Sequence, residues 1–252
     1  MIGLAGLVPL VPIVAAVILI SSSSTQAASR TLIHPFTTPT TAPSTKVAAA
    51  PRPVGSEVAV VIHPTEMDAT PGGAQVAAQG LRTSFGGPSV LLVRKTVGSW
   101  LGVLSPVVGN GKLGWISRSA VDITYVNWSL KVSLSRFQLT VLEGTKVMKR
   151  YTIAIGRPTA PTPTGTFAVT DRLTTGDPEG PYGCCILALS AVAPHAIQDW
   201  DGGDRIAIHS TPPDTYDQIG QPISHGCMHV TLPEGQWLID HIPLGTPVYI
   251  RT

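Results

Sequence analysis

Charge is scarce in this 252-residue chain: Asp, Glu, Lys and Arg make up 13% of it, where about 25% is usual for a soluble domain. Seventeen basic against fifteen acidic residues leave a formal net charge of +2. That near-balance gives a polyanion nothing to hold, so nucleic acid is not an expected partner. Cysteine is scarcer still, with three residues in all, and neither Cys-x-x-Cys nor His-Glu-x-x-His occurs. The commonest sequence patterns for zinc are therefore missing. No basic residue precedes Arg30, so the apolar start of the chain lacks the positive leader that opens most export signals.

That start is the longest apolar run. Residues 1–20 are almost continuously hydrophobic and give way to four serines, 21–24. About 20 apolar residues suffice to span a bilayer, which favours an uncleaved anchor over a signal peptide. The small residues Thr25-Gln26-Ala27-Ala28 offer a cleavage site and keep the signal-peptide reading of residues 1–27 open. Residues 28–55 then form a Pro-, Thr- and Ala-rich linker, too polar and too broken by proline to bury a core.

Two β-rich regions follow. In residues 56–124, strand candidates at 58–62, 90–93, 100–104 and 113–116 alternate with turns at Gly86-Gly87-Pro88 and Gly109-Asn110-Gly111. The run from Gly98 to Ile116 resembles bacterial SH3-like domains. Trp100 and Trp115 are read either as the lining of a peptide groove or as the packing of a small barrel. From Ser129 the pattern becomes clean hairpins: Leu130, Val132 and Leu134, then Leu139 and Val141, then residues 147–155 after a Glu143-Gly144 turn. Thr231-Leu232-Pro233-Glu234 reads as the capping box of a helix packed through Trp237, Leu238 and Ile242, and 246–250 as a last strand.

The chemistry concentrates in Ser224-His225-Gly226-Cys227-Met228-His229, preceded at a distance by Ile208-His209-Ser210-Thr211. A thiol is a poor nucleophile until an imidazole or a positive field raises its thiolate fraction. Gly226 permits a tight turn and close approach of a substrate carbonyl, whose oxyanion would sit against backbone N–H groups. Along Arg205-Ile206-Ala207-Ile208-His209 the alternation places Ile206 and Ile208 on one face and His209 on the other. His225, Cys227, His229 and His209 are also ligand types zinc accepts, but their spacing does not suit a turn wrapped around an ion, and no metal is expected. His34, His63, His195 and His241 belong to no motif.

These motifs resemble those of the L,D-transpeptidases of bacterial cell-wall assembly, the YkuD-type catalytic domain. His209, a gap of fourteen residues, and Ser224-His225-Gly226-Cys227-Met228 follow the family's His, gap, Ser/Thr-His-Gly-Cys-hydrophobic pattern. The stretch from Gly156 through Thr162-Pro163-Thr164-Gly165-Thr166-Phe167 is similar to a second family segment. His229 departs from it, standing where the family usually has Asn or Arg.

The resemblance implies a mainly β chain: a YkuD-like β-sandwich at 127–252, preceded by the SH3-like barrel. It implies Cys227 as acyl-accepting nucleophile, His209 as its base, the Ser210 carbonyl orienting His209, and His225 on the oxyanion side. Tyr182 and Trp200, in a lid segment, join Ser224, Gly226 and His229 as expected substrate contacts. Cys227 would attack the carbonyl joining the third stem residue of peptidoglycan to terminal D-alanine. An amine of a neighbouring stem would then resolve the thioester as a 3→3 cross-link, with no cofactor. Water as acceptor would make the same site a carboxypeptidase, and loss of activity would leave a wall-binding protein. Carbapenems are expected to acylate Cys227, and the site is expected outside the cytoplasm, secreted or anchored. Cys184 and Cys185 are adjacent, so they either pair with each other or one of them captures Cys227, which would abolish the mechanism.

Overall fold

The computed structural model describes residues 54–193 and 204–252. The apolar segment, most of the linker and Trp200 lie outside the described residues. Among those described, no helix is long and apolar enough to cross a membrane.

The chain is mainly β. Its first seven strands are β1 (Ser56–Val61), β2 (Thr65–Asp68), β3 (Gln75–Gln79), β4 (Val90–Val97), β5 (Trp100–Val103), β6 (Gly114–Ser117) and β7 (Val121–Val126). They form one antiparallel sheet in the order β3-β2-β6-β5-β4-β1-β7. Ala59, Met67, Leu101 and Ile116 are fully buried within it. Trp115 is buried and lines an open groove of about 610 Å3 with Val76, Val107, Lys112 and Leu113. The ring of Trp100 instead packs beside Gly72, so the two tryptophans do not share that groove.

The strands that follow are β8 (Trp128–Ser133), β9 (Gln138–Glu143), β10 (Lys146–Thr152), β11 (Ile155–Gly156), β12 (Gly165–Thr174), β13 (Cys185–Val192), β14 (Arg205–Ser210), β15 (Pro222–Ser224) and β16 (Met228–Val230). Helix α1 (Leu232–His241) and strand β17 (Pro247–Arg251) complete the chain. Eight of them make a sheet in the order β10-β9-β8-β17-β12-β13-β14-β16, and β11 pairs with β15 beside it. The alternation read from the sequence sets the faces: Leu130 and Val132 point into the core while Lys131 between them is exposed. Gly144, at φ +58°, closes the β9–β10 hairpin in a conformation L side chains avoid. The last strand, β17, is central, parallel to β8 and antiparallel to β12.

Helix α1 begins as its capping box dictates, the Thr231 N–H donating to Glu234 Oε2 at 2.9 Å. Leu238, Ile239 and Ile242 are buried against the eight-stranded sheet. Trp237 meets Trp128 edge-on at 6.1 Å and stacks on His241 at 4.2 Å.

The two sheets share a boundary core. Val58, Val90, Leu92, Leu104 and Val126 from the first pack with Ala168 of β12. Asn110 ties to Val192 through two hydrogen bonds, of 2.7 and 3.0 Å, and the described residues form one compact unit.

Candidate active site

Strands β14 and β16 run parallel with His209 opposite His229, so the pairing register alone brings two imidazoles side by side. Their ring centroids are 4.4 Å apart. The loop between β15 and β16 carries His225, Gly226 and Cys227 across the end of the same strands. Gly226 takes φ +116°, and a Cβ there would sit 2.8 Å from Ile206 Cδ1, so only glycine fits. Ser224 ties the loop at both ends: its Oγ accepts the Gly226 N–H at 3.1 Å and donates to the Cys227 carbonyl at 2.6 Å. The Gly226 N–H is thereby bonded within the loop.

The second sequence segment buttresses the loop. Buried Thr162 accepts the Gly156 N–H at 2.9 Å and donates to the Gly226 carbonyl at 2.8 Å. The Arg157 N–H reaches the Ser224 carbonyl at 2.9 Å. The two motifs, some sixty residues apart, are therefore one structure.

A cleft of about 180 Å3 opens between these elements, lined by Tyr182, His209, Ser224, His225, Cys227 and His229 together with Pro181, Arg205, Ile206 and Ile223. Ser210 lies behind it, and Gly226 shapes the loop without lining it. Trp200 falls outside the described residues. Cys227 is half-buried and unpaired, whereas Cys184 and Cys185 are bonded to each other. One contribution carried no sequence signal, the Arg205 carbonyl, 3.9 Å from Cys227 Sγ, and the motif containing Thr162 gave no hint of its bond to the Gly226 carbonyl.

His209 is buried, and its Nδ1 lies 2.7 Å from the Ser210 carbonyl oxygen. A carbonyl only accepts, so Nδ1 carries the proton and Nε2 the lone pair. The ring of Tyr182 meets His209 edge-on at 5.0 Å. Burial lowers His209 to about 4, with the Ser210 hydrogen bond opposing it. His229 falls to about 3, through burial first and then the neighbouring His209 and His225. Burial pushes the Cys227 thiol up to about 11, against a backbone hydrogen bond with Ala207, and raises Tyr182, which also faces Cys227. At neutral pH the Cys227 thiol and the imidazoles of His209 and His229 are therefore all neutral.

Among the described residues, no group of three His, Cys, Asp or Glu side chains is arranged to hold a metal ion.

The sequence model of the YkuD L,D-transpeptidase catalytic domain matches residues 127–250. The putative L,D-transpeptidase YkuD of Bacillus subtilis is 30% identical over 126 residues, covering 50% of this chain and 67% of that protein. The chain belongs to the YkuD family. L,D-transpeptidase 1 of Mycobacterium tuberculosis is 27% identical over 127 residues, 47% of this chain, which spans about half (48%) of that relative's length. Solved structures similar to this YkuD protein include an L,D-transpeptidase from Mycobacterium smegmatis, at 19% identity and TM-score 0.39, covering 56% of this chain and 73% of that one. L,D-transpeptidase 3 from Mycobacterium tuberculosis aligns at 18% identity and TM-score 0.40, covering 56% and 74%.

Proposed function

We propose that this chain is a peptidoglycan L,D-transpeptidase that works outside the cytoplasm, secreted or anchored to the membrane by its apolar segment 1–20. The observation that carries the reading is a free, half-buried thiol in a cleft with an imidazole whose Nδ1–H is committed to the Ser210 carbonyl. That arrangement leaves Nε2 as the base for the thiol proton.

The reaction then follows in balanced steps. Cys227 Sγ bonds to the carbonyl carbon between the third stem residue and terminal D-alanine as its proton moves to His209 Nε2. The C–N bond breaks, D-alanine leaves as the amine with that proton, and a thioester remains. The side-chain amine of a second stem attacks the thioester, and its proton passes through His209 to the departing Cys227 sulfur. A 3→3 cross-link results. Tyr182, His225 and His229 face the substrate in this reading, and no cofactor takes part.

The test is the intact mass of the protein before and after a carbapenem, beside Cys227→Ala. A single adduct in the parent and none in the variant supports the nucleophile, and incubation with stem-peptide dimers then separates the acceptors. Cross-linked product supports the transpeptidase, while bare loss of D-alanine supports a carboxypeptidase. A folded protein with a free Cys227 thiol and no adduct leaves a wall-binding protein instead. Membrane fractionation of the full chain against a deletion of residues 1–20 tests the anchor.

A further inference from the structure

Ser210 serves the site twice. Its carbonyl holds the Nδ1–H of His209 at 2.7 Å, and its hydroxyl receives the turn that carries Tyr182. Ser210 Oγ accepts the Cys185 N–H at 3.0 Å and donates its one proton toward the Tyr182 carbonyl at 3.3 Å. Gly183, at φ +54°, lies so close that a Cβ there would be 2.6 Å from Ser210 Oγ. The chain from Tyr182 to Cys185 is thus moulded onto the residue that orients the base, and the Cys184–Cys185 disulfide closes that segment.

The surroundings leave the two sulfurs little freedom. Cys184 Sγ faces Ser210 Oγ at 3.4 Å and the Leu232 carbonyl at 3.8 Å. Cys185 is buried, its Sγ 3.5 Å from Gln236 Oε1 on α1. Gly235 of the same helix blocks the remaining side, since a Cβ there would lie 2.7 Å from Ser210 Cβ and 3.5 Å from Cys185 Cβ. Two thiols need more room than a bonded pair, because non-bonded sulfurs must separate to van der Waals contact. Cys185 is packed between Ser210 and α1. The segment that can yield is the turn over residues 181–184, which carries Tyr182 into the cleft and against the ring of His209.

We propose that the Cys184–Cys185 disulfide is a positioning element of this active site, which clamps the Tyr182 turn onto Ser210 and so holds His209 and the cleft wall in place. The inference rests on the functional reading above. A dithiol, itself oxidised to a disulfide, supplies the two electrons and two protons that convert the pair to thiols. The clamp then loosens, Tyr182 withdraws, and water reaches Cys227.

The consequences run in opposite directions for two reactions at one sulfur. Solvation lowers the thiol towards its ordinary value, so alkylation by iodoacetamide near neutral pH speeds up. Acylation by a carbapenem needs the oriented base, and a displacement of about 1 Å can cost about a hundredfold in rate.

The experiment uses the full chain, aerobic and after dithiothreitol, with peptide mapping to follow each cysteine separately, and the Cys184→Ser/Cys185→Ser double variant as a second route. The expected result is Cys227 alkylation faster by roughly threefold or more and acylation slower by about tenfold or more, with circular dichroism unchanged. Unchanged rates in fully reduced protein overturn the proposal. So does a parallel fall of both rates with loss of structure, or recovery of Cys184 and Cys185 as free thiols from aerobic protein. A parent that is alkylated at Cys227 but never acylated defeats the functional reading alone, and the alkylation comparison still decides the clamp.

Discussion

His209 and His229 are register partners on parallel strands, and their rings lie 4.4 Å apart, so the cleft contains two imidazoles in mutual contact. Both are held below the ordinary histidine value of 6.5, at about 4 and about 3. Because the folded values are depressed, the unfolded chain binds protons more readily. The stability is fully present above 6.5 and lost as pH falls from there towards 4 and 3. Each group contributes a slope of about 1.4 kcal/mol per pH unit within its window. Urea unfolding followed across that range should show the decline, and His229→Asn should remove roughly half of it.

Cys227 gives a second pH signature. Burial lifts its thiol to about 11, so its alkylation rate in the oxidised protein should climb steadily through neutral and mildly alkaline pH. A plateau near neutrality, the mark of a resting thiolate–imidazolium pair, would contradict the neutral thiol described above. Mass spectrometry of iodoacetamide-treated protein at a series of pH values measures it, with Cys227→Ala as blank.

Thr162 is the bolt between the two sequence motifs, and Thr162→Val keeps its shape while removing the hydroxyl. The Gly156 N–H and the Gly226 carbonyl then lose their buried partner, at a cost of about 1–3 kcal/mol. Acylation should fall further than stability suggests, because the Gly226 carbonyl immediately precedes the nucleophile. Thr162→Ser should restore most of both, as read by thermal midpoint and carbapenem acylation.

Asp171 is buried between the two sheets, where Thr83 donates to its Oδ1 and Arg205 Nη2 stands 3.8 Å from its Oδ2. Arg205 has further bonds to the Leu189 carbonyl and Thr170 and lies over the Phe85 ring at 5.4 Å. Asp171→Asn removes one of the two acidic neighbours of a largely buried guanidinium, Asp204 being the other, and costs about 1–3 kcal/mol. A lower urea midpoint together with slower acylation is the expected outcome, since the Arg205 carbonyl faces Cys227. Thr83→Val should give a smaller loss of about 1 kcal/mol in the same assays.

Much of the site was legible because its chemistry is local. The thiol, two imidazoles and the glycine turn sit within six residues, and the alternation around Ile206 and Ile208 gave the face of His209. The hairpins at 129–155 and the capping box of α1 were legible for the same reason. The strands not picked out include β2, which reads Thr-Glu-Met-Asp, β3, a sheet edge with a single buried residue, Gln79, and β13, whose continuous apolar run is buried on both faces and shows no alternation to read. The Arg205 carbonyl and the tether from Thr162 to Gly226 join residues 22 and 64 positions apart, and backbone acceptors leave no trace in side-chain pattern. Gly226 was correctly read as a tight turn, but the bond of its N–H to Ser224 depends on the loop's path.

Arg205 faces two ways, its guanidinium towards Asp171 of β12 and Phe85, which follows β3 of the first sheet, and its carbonyl towards the nucleophile. The catalytic half of this chain therefore carries contacts fitted to its leading sheet. An ancestor or an engineer grafting a different leading module onto residues 127–252 would have to supply replacements for Thr83, Phe85 and Asn110 as well.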